Sequence, residues 1–291
     1  PYHSDNHLMI ANHTEVGLHR NLKLHADLAF QDNIQEERSE PISHGYMPIP
    51  PNTLERRFSK QTYSANIGVK AMLGKNSITG GTSVEYQHNR RGGWGFILPD
   101  FESFAVGAFV YDRYVVSDNL ILSAGVRYDL SRIRIHSYRD WYKTPTSVAG
   151  DSAFIQRSAD LSRSFNSFTW SAGVNYTTGP WVLKMNVGKS FRMPIAKELG
   201  MDGINYHIFR YEKGNTNLDP EEAYELDAGI IYEHGPLLVE LSPYITYFPN
   251  YIYLCPTDEY KEGLQLYNYT QCEVLRYGFE AEARWKFTRD F

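Results

Sequence analysis

Apolar residues fall on every second position in segment after segment of this chain. In the stretch Leu120 to Asp129, Leu120, Leu122, Ala124, Val126 and Tyr128 share one face, and Ser123, Gly125, Arg127 and Asp129 share the other. Strict alternation of this kind marks a strand with one apolar and one polar side. The same pattern recurs in Leu22-Leu24-Ala26-Leu28-Phe30, Tyr63-Ala65-Ile67-Val69-Ala71-Leu73, Phe168-Trp170-Ala172-Val174-Tyr176, Trp181-Leu183-Met185-Val187, Tyr224-Leu226-Ala228-Ile230-Tyr232 and Tyr277-Phe279-Ala281-Ala283-Trp285-Phe287. Phe104 to Val116 reads as a strand whose faces the sequence does not assign.

The connections alternate in length. Short ones are expected near Gly17 and at Gly74-Lys75-Asn76, Ser117-Asp118-Asn119, Thr178-Gly179-Pro180 and His234-Gly235-Pro236. Long ones are expected at Glu36–Lys60, His88–Ser103, Ser137–Arg163, Met193–Asp219 and Cys255–Gln271. Short turns on one edge and long loops on the other are how an outer-membrane barrel is built. Several strands exceed the usual five or six residues of a globular sheet and match the roughly 9–11 needed to cross a bilayer. The polar face carries Glu280, Glu282, Arg284 and Lys286, which a wet lumen tolerates and a dry sandwich core does not. The competing expectation is a long soluble antiparallel sheet with one solvated face.

The fold class is therefore all-β, a transmembrane antiparallel β-barrel present in part. About eleven strands are legible, an odd number, whereas bacterial single-chain barrels use even ones. An open edge in lipid leaves unpaired backbone groups, so further strands are expected beyond at least one end. The chain begins at Pro1 without a charged-then-apolar leader and stops at Thr288-Arg289-Asp290-Phe291, just after an aromatic strand. Both ends read as parts of a longer protein.

Composition sharpens this picture. Mean hydropathy is -0.46 and no apolar run approaches the roughly 18 residues of a spanning helix, which excludes a helical membrane protein. A barrel remains open, because lumen-facing polar residues cancel lipid-facing apolar ones in any window. The aromatic content of 14%, with 22 Tyr, suits a membrane interface, and Tyr176, Trp181 and Tyr232 bunch beside short turns. A net charge of -5 offers no footprint for nucleic acid.

Function on such a wall belongs to its loops and lumen. Arg90 to Asp100 holds Trp94 and Phe96, an apolar segment facing the exterior that needs either a ligand or a neighbouring loop, with loop packing the favoured option. His7, His13, His19 and His25 recur every six residues, but a turn divides them between two strands, so their spacing makes no cluster. His44, His88 and His207 sit on extracellular stretches and are candidate metal ligands if they converge. Cys255 and Cys272 lie opposite one another if their hairpin turns at Glu262 to Gln265, and a disulfide is expected. No Gly-x-Ser-x-Gly or HExxH constellation occurs, so the chain is not read as an enzyme, and no resident cofactor is expected.

From Phe191 onward the chain resembles the TonB-dependent outer-membrane receptors. Phe191-Arg192-Met193-Pro194 is similar to their FRxP box, and Gly214-Asn215-Thr216-Asn217-Leu218-Asp219-Pro220-Glu221 to the stretch that opens their next strand. Tyr251-Ile252-Tyr253-Leu254, Gln271 and Gly278-Phe279-Glu280 match a later hairpin, and Gln31 and Asn33 also fit. The resemblance implies a 22-stranded barrel in the Gram-negative outer membrane, of which residues 1–291 supply part. The plug domain and the terminal strands would lie outside this chain. It also implies import of a scarce ligand energised through TonB, with lipid, the TonB complex (through the plug) and a small metal complex as partners.

His207 lies between the two boxes, where haem receptors of this family place an axial histidine. Both boxes depart from the haem pattern, at Met193 and Thr216, and the stretch through Tyr206-His207 is similar to the zinc branch as well. Haem or zinc is favoured over a ferric siderophore, with His207, Tyr206, Arg192, Trp94 and Phe96 as candidate ligand-binding residues. A passive porin and a glycan importer of the starch-utilisation type are the alternatives.

Overall fold

The computed structural model describes residues 2–146 and 148–287, so the closing 288–291 stretch lies outside the described residues. In chain order the strands are β1 (Tyr2–His19), β2 (Leu22–Arg38), β3 (Leu54–Leu73), β4 (Asn76–Gly92), β5 (Phe101–Ser117), β6 (Leu120–Ile135), β7 (Tyr138–Pro145) and β8 (Ser152–Ser158). They continue with β9 (Leu161–Thr178), β10 (Trp181–Arg192), β11 (Asp202–Asn205), β12 (Arg210–Lys213), β13 (Glu221–His234), β14 (Leu237–Lys261) and β15 (Leu264–Trp285). The helix α1 (Ala196–Gly200) precedes β11. No helix among the described residues is long and apolar enough to cross a membrane.

Eleven of these strands form one continuous antiparallel wall in the order β1-β2-β3-β4-β5-β6-β9-β10-β13-β14-β15, matching the strand count read from alternation. Register explains why the alternation was so regular. Ile10, Phe30, Tyr63 and Tyr86 stand in one row across β1 to β4, and Val84, Val106 and Leu130 in another across β4 to β6. Leu183, Ile230 and Leu241 make a third across β10, β13 and β14. Because side chains alternate with period two, each row belongs wholly to one face. That face is a broad sheet of exposed apolar side chains, far larger than a water-facing surface carries.

The strand whose faces were unreadable is β5. Phe104, Val106, Ala108 and Val110 face outward, but the opposite face carries Phe109 and Tyr111, so polarity does not alternate. The first turn also differs from expectation. Gly17 stays within β1, and the chain reverses at Arg20-Asn21. Beside the short turns, the rings of Trp181 and Tyr232 lie 4.7 Å apart, as expected for an interfacial aromatic pair.

Many strands run well past the bilayer on the long-loop side. β14 has 25 residues and β15 has 22, at least twice the roughly 9–11 that a crossing needs. The expected fifth long loop is therefore absent. The two strands continue to a two-residue turn at Glu262-Gly263. Bulges between Phe248 and Tyr251 and between Pro256 and Tyr260 shift their register. With the tip at Glu262-Gly263 and the bulge between Pro256 and Tyr260, Cys255 pairs with Asn268 and Cys272 with Tyr251, and both cysteines are free. The expected disulfide is corrected, since partners four residues out of register stand beyond the roughly 7 Å limit of a bridge.

The remaining elements sit above the wall. β7 and β8 form their own hairpin, while β11 and β12 fold over so that β12 pairs in parallel with β15 through Tyr211↔Leu266 and Glu212↔Tyr267. The main apolar core lies at this rim. Phe101, Ile133, Ile135 and Phe165 of the upper wall pack with Ala196 and Leu199 of α1, Leu218, and Ile252.

Candidate functional site

The motif residues on which the family resemblance rests turn out to be the mortar between wall and loops. Arg192 stands opposite Glu221 and donates to both Glu221 (3.2 Å) and Glu198 (3.0 Å). Glu198 in turn accepts from the Ile195 backbone N–H and so opens α1, while Glu221 accepts from the Ile252 N–H at 2.7 Å. Gln271 exchanges hydrogen bonds with the Asp219 backbone and also donates to Asn250. Arg192 is thus satisfied by two carboxylates and anchors the start of α1.

Trp94 and Phe96 receive the same treatment. Trp94 is buried with Met47 and Tyr142, and its indole N–H donates to the Asn52 carbonyl. Phe96 stacks on Tyr138 at 5.0 Å, with the Arg91 guanidinium 3.9 Å from the Tyr138 ring centre. Neighbouring loops cover both side chains, the loop packing that the sequence favoured for this segment.

The three candidate histidines do not converge. His88 lies on β4 beside Val84 and Tyr86, which places it on the outer face, away from any ligand above the lumen. His44 packs at a tilt against Tyr206, ring centres 5.1 Å apart, and both line a cavity of about 250 Å³ with Tyr46, Tyr142, Phe209 and Glu262. Burial pushes the Tyr206 hydroxyl well above its usual range, reinforced by its contact with Tyr142. That hydroxyl is a neutral hydrogen-bonding group.

His207 instead finds carboxylates. It projects from the turn between β11 and β12, and its Nε2 lies 3.1 Å from Glu55 and 3.7 Å from Glu37. The three ligating atoms all fall within 4.8 Å of one another, making this the His/Cys/Asp/Glu group of metal-binding size among the described residues. Donor atoms around a four-coordinate ion at 2.0–2.2 Å sit about 3.4 Å apart, so the spacing needs only small adjustment. Glu55 is 5% exposed. Burial raises its carboxyl, but hydrogen bonds from Ser39 and Arg56 and the charges of Arg56 and His207 outweigh that and hold it below the usual range. One Glu37 oxygen is buried without a hydrogen bond, although Arg56 approaches it at 3.2 Å.

Sequence reading missed Glu37 and Glu55 because it placed both in a long loop. The available signal was the charged run Leu54-Glu55-Arg56-Arg57 directly before a strand. It also missed the buried ions that organise the loops. Arg157 of β8, 2% exposed, donates to Asp140 of β7, to Tyr211 of β12 and to Glu262 at the β14–β15 tip. Glu212, with no exposed surface, accepts from Arg210 and Asn205 and forms an ion pair with Lys197 at 2.7 Å. Next to it, burial and the charges of Glu212 and Glu198 push the Tyr269 hydroxyl up to about 12.

Burial raises the Glu212 carboxyl, but its hydrogen bonds from Lys197 and Arg210 prevail and hold it below the usual range. A depressed folded value stabilises above the unfolded one and is lost as pH falls through it. The β11–β12 hairpin is therefore expected to be ordered at neutral pH and to loosen on acidification through and below the ordinary carboxylate range. A spin label at Ile208 reads this as rising mobility, and Glu212→Gln should flatten the response.

Comparison with known proteins agrees with the wall, its turns and its loops. The family model described as TonB dependent receptor-like, beta-barrel, matches residues 6–291. Among solved structures, the chain superposes on the copper transporter OprC (16% identity, TM-score 0.72), covering 98% of this chain and 44% of that one. The Serratia marcescens hemophore receptor HasR, solved as a double mutant with its hemophore HasA and heme, gives 16% identity and TM-score 0.73, with 98% and 47% covered. The FrpB iron transporter from Neisseria meningitidis gives 13% identity and TM-score 0.69, with 99% and 43% covered. The chain thus spans less than half the length of these receptors, and no curated protein sequence matches it. With an eleven-stranded wall in the right register and a family match over nearly its whole length, the chain belongs to the TonB-dependent receptor β-barrel family.

Proposed function

We propose that the protein carrying this chain is a Gram-negative outer-membrane receptor that imports a transition-metal ion or metal complex, energised through TonB. This chain supplies about half of its barrel wall, with the plug and the remaining strands contributed by the rest of the protein. The supporting observation is the group of Glu37, Glu55 and His207 at the loop end of the lumen. Two carboxylates and an imidazole suit a divalent ion such as zinc. They suit haem less well, because an axial nitrogen must be free, and the His207 Nε2 already faces two carboxylates. The named neighbours handle copper, heme and iron, a range within which a bare ion is ordinary.

Titrating the intact detergent-purified receptor with Zn²⁺ and, separately, with haemin tests this. Zn²⁺ should bind saturably, and His207→Ala or Glu55→Gln should each weaken it by about 100-fold or more, at the upper end of what even supporting residues cost. A saturable Soret shift abolished by His207→Ala would instead identify haem as the cargo. Import that persists without TonB would overturn the energised mechanism.

A further inference from the structure

Half of the chain's ten histidines, His3, His7, His13, His19 and His25, lie on the two neighbouring strands β1 and β2. The regular spacing that made no cluster in the sequence acquires a meaning from register. On β1 the odd positions His3, Asp5, His7, Met9, His13 and Glu15 share a face with Glu37, Gln35, Asn33, Gln31, Asp27 and His25 of β2, each opposite its partner in that order. The even positions Leu8, Ile10, Leu24, Leu28 and Phe30 form the outer, lipid-side face. The ligand-type face therefore looks into the lumen. It starts at Glu37, a member of the His207 group, and is broken only at the pair Ala11↔Ala29.

Near the short-turn end this face holds a two-by-two block. His13 stands opposite Asp27, with Nδ1 2.5 Å from the carboxylate, and Glu15 stands opposite His25. Directly opposed Cβ atoms lie about 4.5–5.5 Å apart and successive same-face positions about 6.8 Å apart, so all four side chains can turn onto one ion between them. The His25 ring reaches over Gly68 of β3, where any side chain would collide with it, and must swing back toward β1 to join Glu15 on an ion. Glu15 is held only by an exposed contact with Lys23 and is free to exchange it. Two imidazoles and two carboxylates thus meet on one lumen-facing patch.

We propose that His13, Glu15, His25 and Asp27 form a second divalent-metal site low in the lumen, and that His3, Asp5, His7 and Met9 are intermediate ligands between it and the His207 group. Ten residues separate Glu37 from Asp27 along β2, about 34 Å at strand rise, so a captured ion would pass down the wall by ligand exchange. This rests on the metal reading above for its direction of transfer, but the lower site is a separate prediction with its own ligands.

Co²⁺ titration of the intact receptor, followed through its visible absorption, tests the two sites separately. The wild type should take up two ions. His207→Ala with Glu55→Gln should lose one and keep the lower, while His13→Asn with His25→Asn should lose the other and keep the upper. Glu15→Gln with Asp27→Asn provides an independent lower-site variant, and retained heat-modifiability on gels shows that each barrel is folded. Unchanged stoichiometry and spectrum in both folded lower-site variants would overturn the second site. One ion in the wild type, kept by the His207→Ala/Glu55→Gln variant and lost in both lower-site variants, would leave the second site standing and overturn only the His207 reading.

Discussion

Arg157→Ala is expected to release the loop cap while leaving the barrel wall folded. The guanidinium is almost wholly buried, with Asp140 at 2.8 Å and Glu262 at 2.5 Å, and it ties β8 to β7, β12 and the β14–β15 tip. Burial works against its charge, but Glu262 and Asp140 more than compensate, so it stays protonated throughout the accessible pH range. Removing it strands two carboxylates in a dry setting. Breaking a buried pair in this way costs about 3–5 kcal/mol, far more than a surface salt bridge. No wall strand of the bilayer zone takes part, so the loss should appear as local opening. Hydrogen exchange should speed up in residues 138–158, 202–213 and 260–266, with β2 to β6 unchanged near their short turns. Arg157→Lys should fall between, since an ammonium keeps the charge but loses the fork that serves Glu262 twice. Unaltered exchange in the cap of the alanine variant would refute the clamp.

Gly93→Ala is the second large effect, and it bears directly on the proposed metal site. Gly93 sits at φ +82, a conformation costing a side-chain-bearing residue about 1–2 kcal/mol. A Cβ there would also lie 2.7 Å from the Glu55 carbonyl carbon and 2.9 Å from the Arg56 nitrogen. Those atoms are backbone, fixed by hydrogen bonds from Trp94 and Gly95 to Leu54 and Glu55, so one segment must move. Displacing Glu55 by a fraction of an ångström takes its carboxylate out of line with His207. Zinc affinity should fall about tenfold or more, equal to about 1.4 kcal/mol per decade. The neighbouring Gly92→Ala meets only ordinary contacts and serves as the silent control. Equal affinities in the two variants would show that Glu55 is not a ligand.

The eleven wall strands, their faces and most of their turns were legible because period-two alternation is a property each strand carries by itself. It survives in the sequence whatever the strand pairs with. Where one strand broke the rule, as β5 does with Phe109 and Tyr111 facing inward, the pattern went silent. The family boxes were legible too, but their job was not. Arg192, Glu198 and Glu221 read as motif letters, and only their meeting in space makes them an anchor.

The sequence by itself determined that this chain is a barrel wall and pointed to one rim and the lumen as the place for function. Tertiary structure alone decided which residues meet there. His207 and Glu55 are 152 positions apart, and Arg157 and Glu262 are 105 apart. Such convergence depends on inter-strand register, on the turn and bulge that set Cys255 apart from Cys272, and on loops that buried Trp94 and Phe96. Alternation says which face a residue takes. It carries no information about how far one strand is slid against the next, and that slide sets every contact across the wall.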